Sequence, residues 1–125
     1  MKRDWDTIRD ILTKLENSTL PNNILQLSDF SSEEAEKISY HTELLFEANL
    51  VDGEMSKTLG RGVNDFFITR LTWNGHEFLD AINNDTVWEK TKKSFATSGI
   101  SMTVELVKSI ATDAATSLVK STLGN

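Results

Sequence analysis

The run Phe66-Phe67-Ile68-Thr69-Arg70-Leu71-Thr72 constrains this chain more than any other stretch. Its aromatic and β-branched residues favour a pleated strand, whereas apolar residues on either side of it recur at helical spacing. A lone strand cannot pair its own backbone groups, so it needs a partner. Leu50 to Met55 supplies one, and the polar stretch holding Gly60-Arg61-Gly62 lies between them. The reading is a β-hairpin with a long, mobile tip, in a chain that is otherwise mostly α. The fold class is therefore α+β with a small β component.

The flanking helices carry their own signals. Trp5, Ile8, Ile11, Leu12 and Leu15 form one helical face, with Asp4 and Asp6 at its start and Asn17-Ser18 at its end. A turn at Leu20-Pro21-Asn22-Asn23 precedes a short apolar run from Ile24 to Leu27, read as a brief strand. Ser31-Ser32-Glu33-Glu34 reads as a helix start, with hydroxyl caps and then acids in the first turn. Ala35, Ile38, His41, Leu44, Leu45 and Ala48 continue that helix to Asn49. Beyond the hairpin, Thr72 caps a helix from Trp73 to about Asn83, and Asn83-Asn84-Asp85 breaks it and starts another from Thr86 to Phe95. Ser98-Gly99 is read as a hinge before a last helix from about Met102 to Leu123. The order helix, strand, helix, hairpin, helix is that of a winged-helix domain, with the usual extra helix compressed into Leu27 to Ser32. The expected organisation is a winged-helix-like domain over residues 1–97 and a C-terminal amphipathic helix over 98–125.

That last helix gathers Val104, Val107, Ile110, Ala111, Ala114, Ala115, Leu118 and Val119 on one side, and only Leu106 breaks the pattern. A face rich in Ala and Val permits close helix–helix approach. It either folds back onto the domain or serves as a dimer or partner-binding helix, the dimer face being Val104, Val107, Ile110, Ala111, Ala114 and Leu118.

The opening Met-Lys-Arg-Asp-Trp-Asp-Thr-Ile-Arg-Asp-Ile-Leu resembles the start of an uncharacterised bacterial and phage family, Domain of Unknown Function 2513. The resemblance continues at Ile38-Ser39-Tyr40-His41, Glu43-Leu44-Leu45 and Glu47-Ala48-Asn49-Leu50. It is strongest at Arg70-Leu71-Thr72-Trp73-Asn74-Gly75-His76-Glu77-Phe78-Leu79-Asp80 and Asp85-Thr86-Val87-Trp88. It spans roughly residues 1–97. It implies a winged-helix fold and a phage or prophage setting, and no activity. The stretch around His41 also resembles the recognition helix of winged-helix repressors, in which His-Leu-x-x-Leu-x-x-Ala-Gly-Leu is common. Here Thr42 replaces the first Leu, and Asn49 replaces the Gly as a residue able to take the left-handed cap.

A winged helix is ordinarily expected to bind DNA, so charge decides the reading. The chain has 125 residues, 13 Lys+Arg, 19 Asp+Glu and a formal charge of −6. Residues 17–54, which include the helix that would enter the major groove, hold Lys37 against eight acidic residues, a net of −7. Affinity for duplex DNA rests largely on phosphate neutralisation, and an acidic recognition helix is repelled on approach. The same helix suits a protein partner with a basic surface. The candidate contact residues are Glu36, Tyr40, Glu43 and Glu47, with Arg61 from the hairpin tip. The expected partner is a host or phage protein, a host-defence inhibitor being one form of that role. The alternative is a DNA-binding transcriptional regulator, dimeric through the last helix.

Catalytic chemistry finds little footing. Nucleophilic catalysis needs a nucleophile beside a base, and the chain has no Cys and two His. His41 shares its face with Ile38 and Leu45, as a structural residue does. His76 and Asp80 stand four apart, as a surface hydrogen-bonded pair does. The absence of Cys excludes a disulfide scaffold and a Cys-zinc site, and no pattern calls for a metal or cofactor. Trp5, Trp73 and Trp88 are expected in the core. With no signal peptide or membrane-spanning run in view, the expectation is a non-enzymatic protein of the bacterial host cytoplasm.

Overall fold

Asp4 starts the first helix. Its carboxylate accepts the backbone N–H groups of Asp6 at 3.0 Å and Thr7 at 3.4 Å, so two otherwise unpaired donors are satisfied. The helix it caps is α1, Trp5–Glu16. A computed structural model describes residues 1–18, 24–56 and 63–124 of the chain. After α1 come β1 (Leu25–Gln26), two 3-10 turns at Leu27–Asp29 and Ser32–Glu34, and α2 (Ala35–Glu47). Then follow β2 (Val51–Met55), β3 (Phe66–Leu71), α3 (Trp73–Ile82), α4 (Asp85–Ser98) and α5 (Val104–Leu123). The chain is thus mostly helical with a small antiparallel sheet. Among the described residues, no helix is long and apolar enough to cross a membrane.

The sheet has the order β1-β3-β2. β3 is central, pairing Ile68 with Leu25 and Phe67 with Gln26 on one side, and Leu71 with Val51 on the other. The β2–β3 register slips between Asp52 and Gly53, a bulge that leaves Thr69 as the extra residue. Gly53 has φ +148°, and a Cβ there would meet the Phe67 carbonyl oxygen at 2.0 Å, so the bulge admits only glycine. The hairpin tip expected around Gly60-Arg61-Gly62 lies outside the described residues.

The chain divides into two compact units, Met1–His76 and Glu77–Asn125. The division falls within α3; the boundary expected after residue 97 falls at the end of α4. The buried apolar side chains of the first unit come from α1 (Trp5, Ile8, Ile11, Leu12), α2 (Ile38, Leu45), the sheet (Leu25, Val51, Phe66, Ile68, Leu71) and Leu50 between α2 and β2. Those of the second are Phe78, Leu79, Ile82, Val87, Trp88, Phe95, Val107 and Ala111.

In the second unit, Asn84 caps α4 by accepting the Val87 N–H at 3.0 Å, and Thr103 caps α5 by accepting the Leu106 N–H at 3.1 Å. Gly99 ends α4 in the left-handed conformation, φ 73°. α5 packs back on α4. It buries Val107 and Ala111 fully, while Val104, Ile110, Ala114 and Leu118 stay half-buried.

Candidate interaction face on the second helix

α2 faces inward through Ile38, Ser39, His41, Thr42 and Leu45, all buried. Helical geometry then decides the opposite side. Residues 36, 40, 43 and 47 are separated by four, three and four positions, so they form one stripe. Glu36, Glu43 and Glu47 are exposed, with Tyr40 half-buried among them. The expected contact residues of α2 are thus brought together, while Arg61 lies outside the described residues. Tyr40 stands edge-on to His41, ring centroids 5.3 Å apart at 81°. That contact orients the Tyr40 ring from below.

Three anchors hold α2 in place. The first is a clasp to the start of α1. The Asp4 backbone N–H donates to His41 Nε2 at 2.7 Å. His41 Nδ1 therefore carries the proton, and it donates to the Lys37 carbonyl at 2.7 Å. Lys37 Nζ closes the ring on Asp4 Oδ2 at 2.8 Å. The Lys37 ammonium holds the Asp4 carboxyl down at about 2, helped by the Thr7 hydrogen bonds and opposed by burial. Lys37 is raised in turn by Asp4. Lys37 is the one cation of residues 17–54, and its charge is spent on Asp4 rather than on the outer stripe.

The second anchor is Ser39. Its hydroxyl donates to the Asn64 carbonyl and accepts the Asn64 N–H, both at 2.8 Å, which ties the approach to β3 onto α2. The third is the helix end. Asn49 takes φ 57°, as its place in the repressor-like pattern implied. Leu50 N–H donates to the Leu45 carbonyl and Asn49 N–H to the Phe46 carbonyl, both at 3.0 Å, which is a Schellman closure.

Trp73 and His76 depart from the sequence expectations. Trp73 is 77% exposed rather than in the core. The buried row of α3 is Gly75, Phe78, Leu79 and Ile82. Trp73 precedes Phe78 by five residues, which turns it well off that row; this offset was visible in the sequence. His76 does not pair with Asp80; its Nδ1 lies 3.5 Å from Glu16 Oε2 of α1. No local spacing announces a partner sixty residues away. Trp5 and Trp88 are buried as expected. Among the described residues, no group of three or more His, Asp or Glu side chains is arranged to hold a metal ion.

The family model described as "Hypothetical protein (DUF2513)" matches residues 2–101 of the chain. The chain belongs to the DUF2513 family. An uncharacterized protein of Haemophilus influenzae is 36% identical to this DUF2513 chain over 111 residues, 89% of this chain and 92% of that protein. No solved structure matches it.

Proposed function

We propose that this DUF2513 protein is a non-catalytic winged-helix protein that binds a basic protein partner through the outer face of α2. The observation that carries the reading is the acidic stripe Glu36, Tyr40, Glu43 and Glu47, on a helix fixed at its start, middle and end. The winged-helix part is supported by the order α1-β1-α2-β2-β3 with β3 central in the sheet. In that arrangement α2 is the element other winged helices present to DNA. Here the surface offers carboxylates and one aromatic ring, and a rigid aromatic among charges suits a protein interface. Duplex DNA would meet like charge. The family resemblance adds a phage or prophage setting, with a protein of the bacterial host cytoplasm as the natural target. Neither histidine is left as a free base beside a nucleophile: His41 is buried and doubly hydrogen-bonded, and His76 faces Glu16.

The test is capture of partners from bacterial lysate with the wild-type chain and with Glu43→Lys/Glu47→Lys as baits. Both side chains are exposed, so the variant keeps its fold, checked by circular dichroism. A protein retained by the wild type and lost from the variant supports the reading. Equal retention by both baits removes α2 as the contact face. Tight, salt-sensitive binding of the wild type to mixed-sequence duplex DNA would instead favour a transcriptional regulator.

A further inference from the structure

We infer that the cleft between α4 and α5 is a self-association surface that takes a second copy of this chain. The cleft is open and measures about 710 Å³. Lys90, Lys93 and Ser94 of α4 form one wall, and Ile110, Asp113 and Ala114 of α5 form the floor and the other wall. The inference uses a different helix pair from the acidic face of α2 and does not rest on it.

The stripe expected to dimerise is partly consumed, because Val107 and Ala111 are buried within the unit. The adjoining row on α5 is not. Leu106, Ile110 and Ala114 follow at four-residue steps, with Leu106 42% exposed and the other two half-buried. Four-residue rows are the ridges that interdigitate when helices cross. Ala114 within that row, with Ser94 across the cleft, allows close backbone approach. α5 has 20 residues, so this face runs for about 30 Å.

Charge chooses the occupant. The α4 wall carries Lys90 and Lys93 and the α5 wall carries Asp113, and none of the three has an ion-pair partner among the described residues. An acidic partner would meet Asp113, and a basic one would meet two lysines. A second copy related by a two-fold axis presents both signs in matching order, its aspartate wall to the lysine wall, twice over.

The experiment is sedimentation equilibrium of the full chain across micromolar concentrations, with Asp113→Lys and Lys90→Glu/Lys93→Glu compared separately and mixed. The wild type is expected to approach twice 14.0 kDa. Each variant alone should weaken dimerisation about tenfold or more. An equal mixture should restore it, because each copy then supplies the sign its partner lacks; a merely misfolded variant would not recover on mixing. A wild type that stays at the monomer mass overturns the proposal and leaves the cleft to another occupant. A dimer untouched by either variant, or a mixture that stays monomeric, overturns it as well.

Discussion

Three side chains and one backbone amide clasp α2 to the start of α1. Asp4 caps α1, pairs with Lys37 and offers its own N–H to His41. Because its carboxyl is held at about 2, below the ordinary 3.8, Asp4 favours the folded state above pH 4, and the benefit fades as pH falls towards 2. The side chain is 37% exposed, so screening limits the pair to about 1 kcal/mol. Asp4→Asn keeps a capping oxygen and loses the charge. Its stability in urea should fall by about 1 kcal/mol at neutral pH, and the gap to wild type should close as pH falls from 4 to 2. Thr42 bears the opposite expectation. It is buried, and its hydroxyl has no hydrogen-bond partner. Thr42→Val keeps the shape and removes a desolvated hydroxyl, so the urea midpoint should rise, by about 1 kcal/mol of stability. The cap at Asp4 and the apolar company of His41 were legible because both depend on near neighbours in sequence. The clasp was not, since His41 and Asp4 are 37 residues apart. Nor was the burial of Thr42, since its place beside His41 is settled by what packs on α2.

At the scale of elements, the chain turns from α2 into the sheet and out of it again at one crowded junction. Thr72 Oγ1 donates to the Asn49 carbonyl at 2.6 Å and accepts the Gly75 N–H at 3.0 Å, while Thr72 N–H reaches the Leu50 carbonyl at 3.0 Å. A Cβ on Gly75 would lie 1.9 Å from the Leu50 carbonyl oxygen. Gly75→Ala must therefore push α3 away from the end of α2. Thermal unfolding should show a loss of about 2–3 kcal/mol, although alanine is the better helix former. The strands and the five α-helices stand close to where periodicity placed them, and Asp4, Asn84 and Thr103 mark the starts of α1, α4 and α5 as Asn49 and Gly99 mark the ends of α2 and α4. The segment before α2 departs most. Ser31 was expected to open a continuous helix, yet Ser32–Glu34 is a 3-10 turn and α2 begins at Ala35. Adjacent serines and glutamates signal a helix start without specifying how tightly the first turn winds. On α2 the Glu36–Glu47 stripe was legible, since spacing alone sets a helical face.

For the whole molecule, charge is the property that separates the competing roles. The formal net charge is −6, and Glu36→Lys/Glu43→Lys/Glu47→Lys changes it by six units, to zero. Mobility-shift titration at low salt should show no retention of mixed-sequence duplex DNA by the wild type and weak, salt-sensitive retention by the triple variant. Retention by the wild type would mean that the acidic face is turned away from the nucleic acid. The small sheet bears on a different collective property. Any open sheet offers its outermost backbone groups to a passing strand, which is how folded chains begin to aggregate. One edge here, β1, is two residues long, too short a template to hold a newcomer. The other, β2, carries Asp52 and Glu54 on either side of Gly53, whose φ is +148°. An incoming strand would meet carboxylates on either side of Gly53. The shortness of β1 and the carboxylates of β2 thus weigh against edge-to-edge pairing of copies at high concentration.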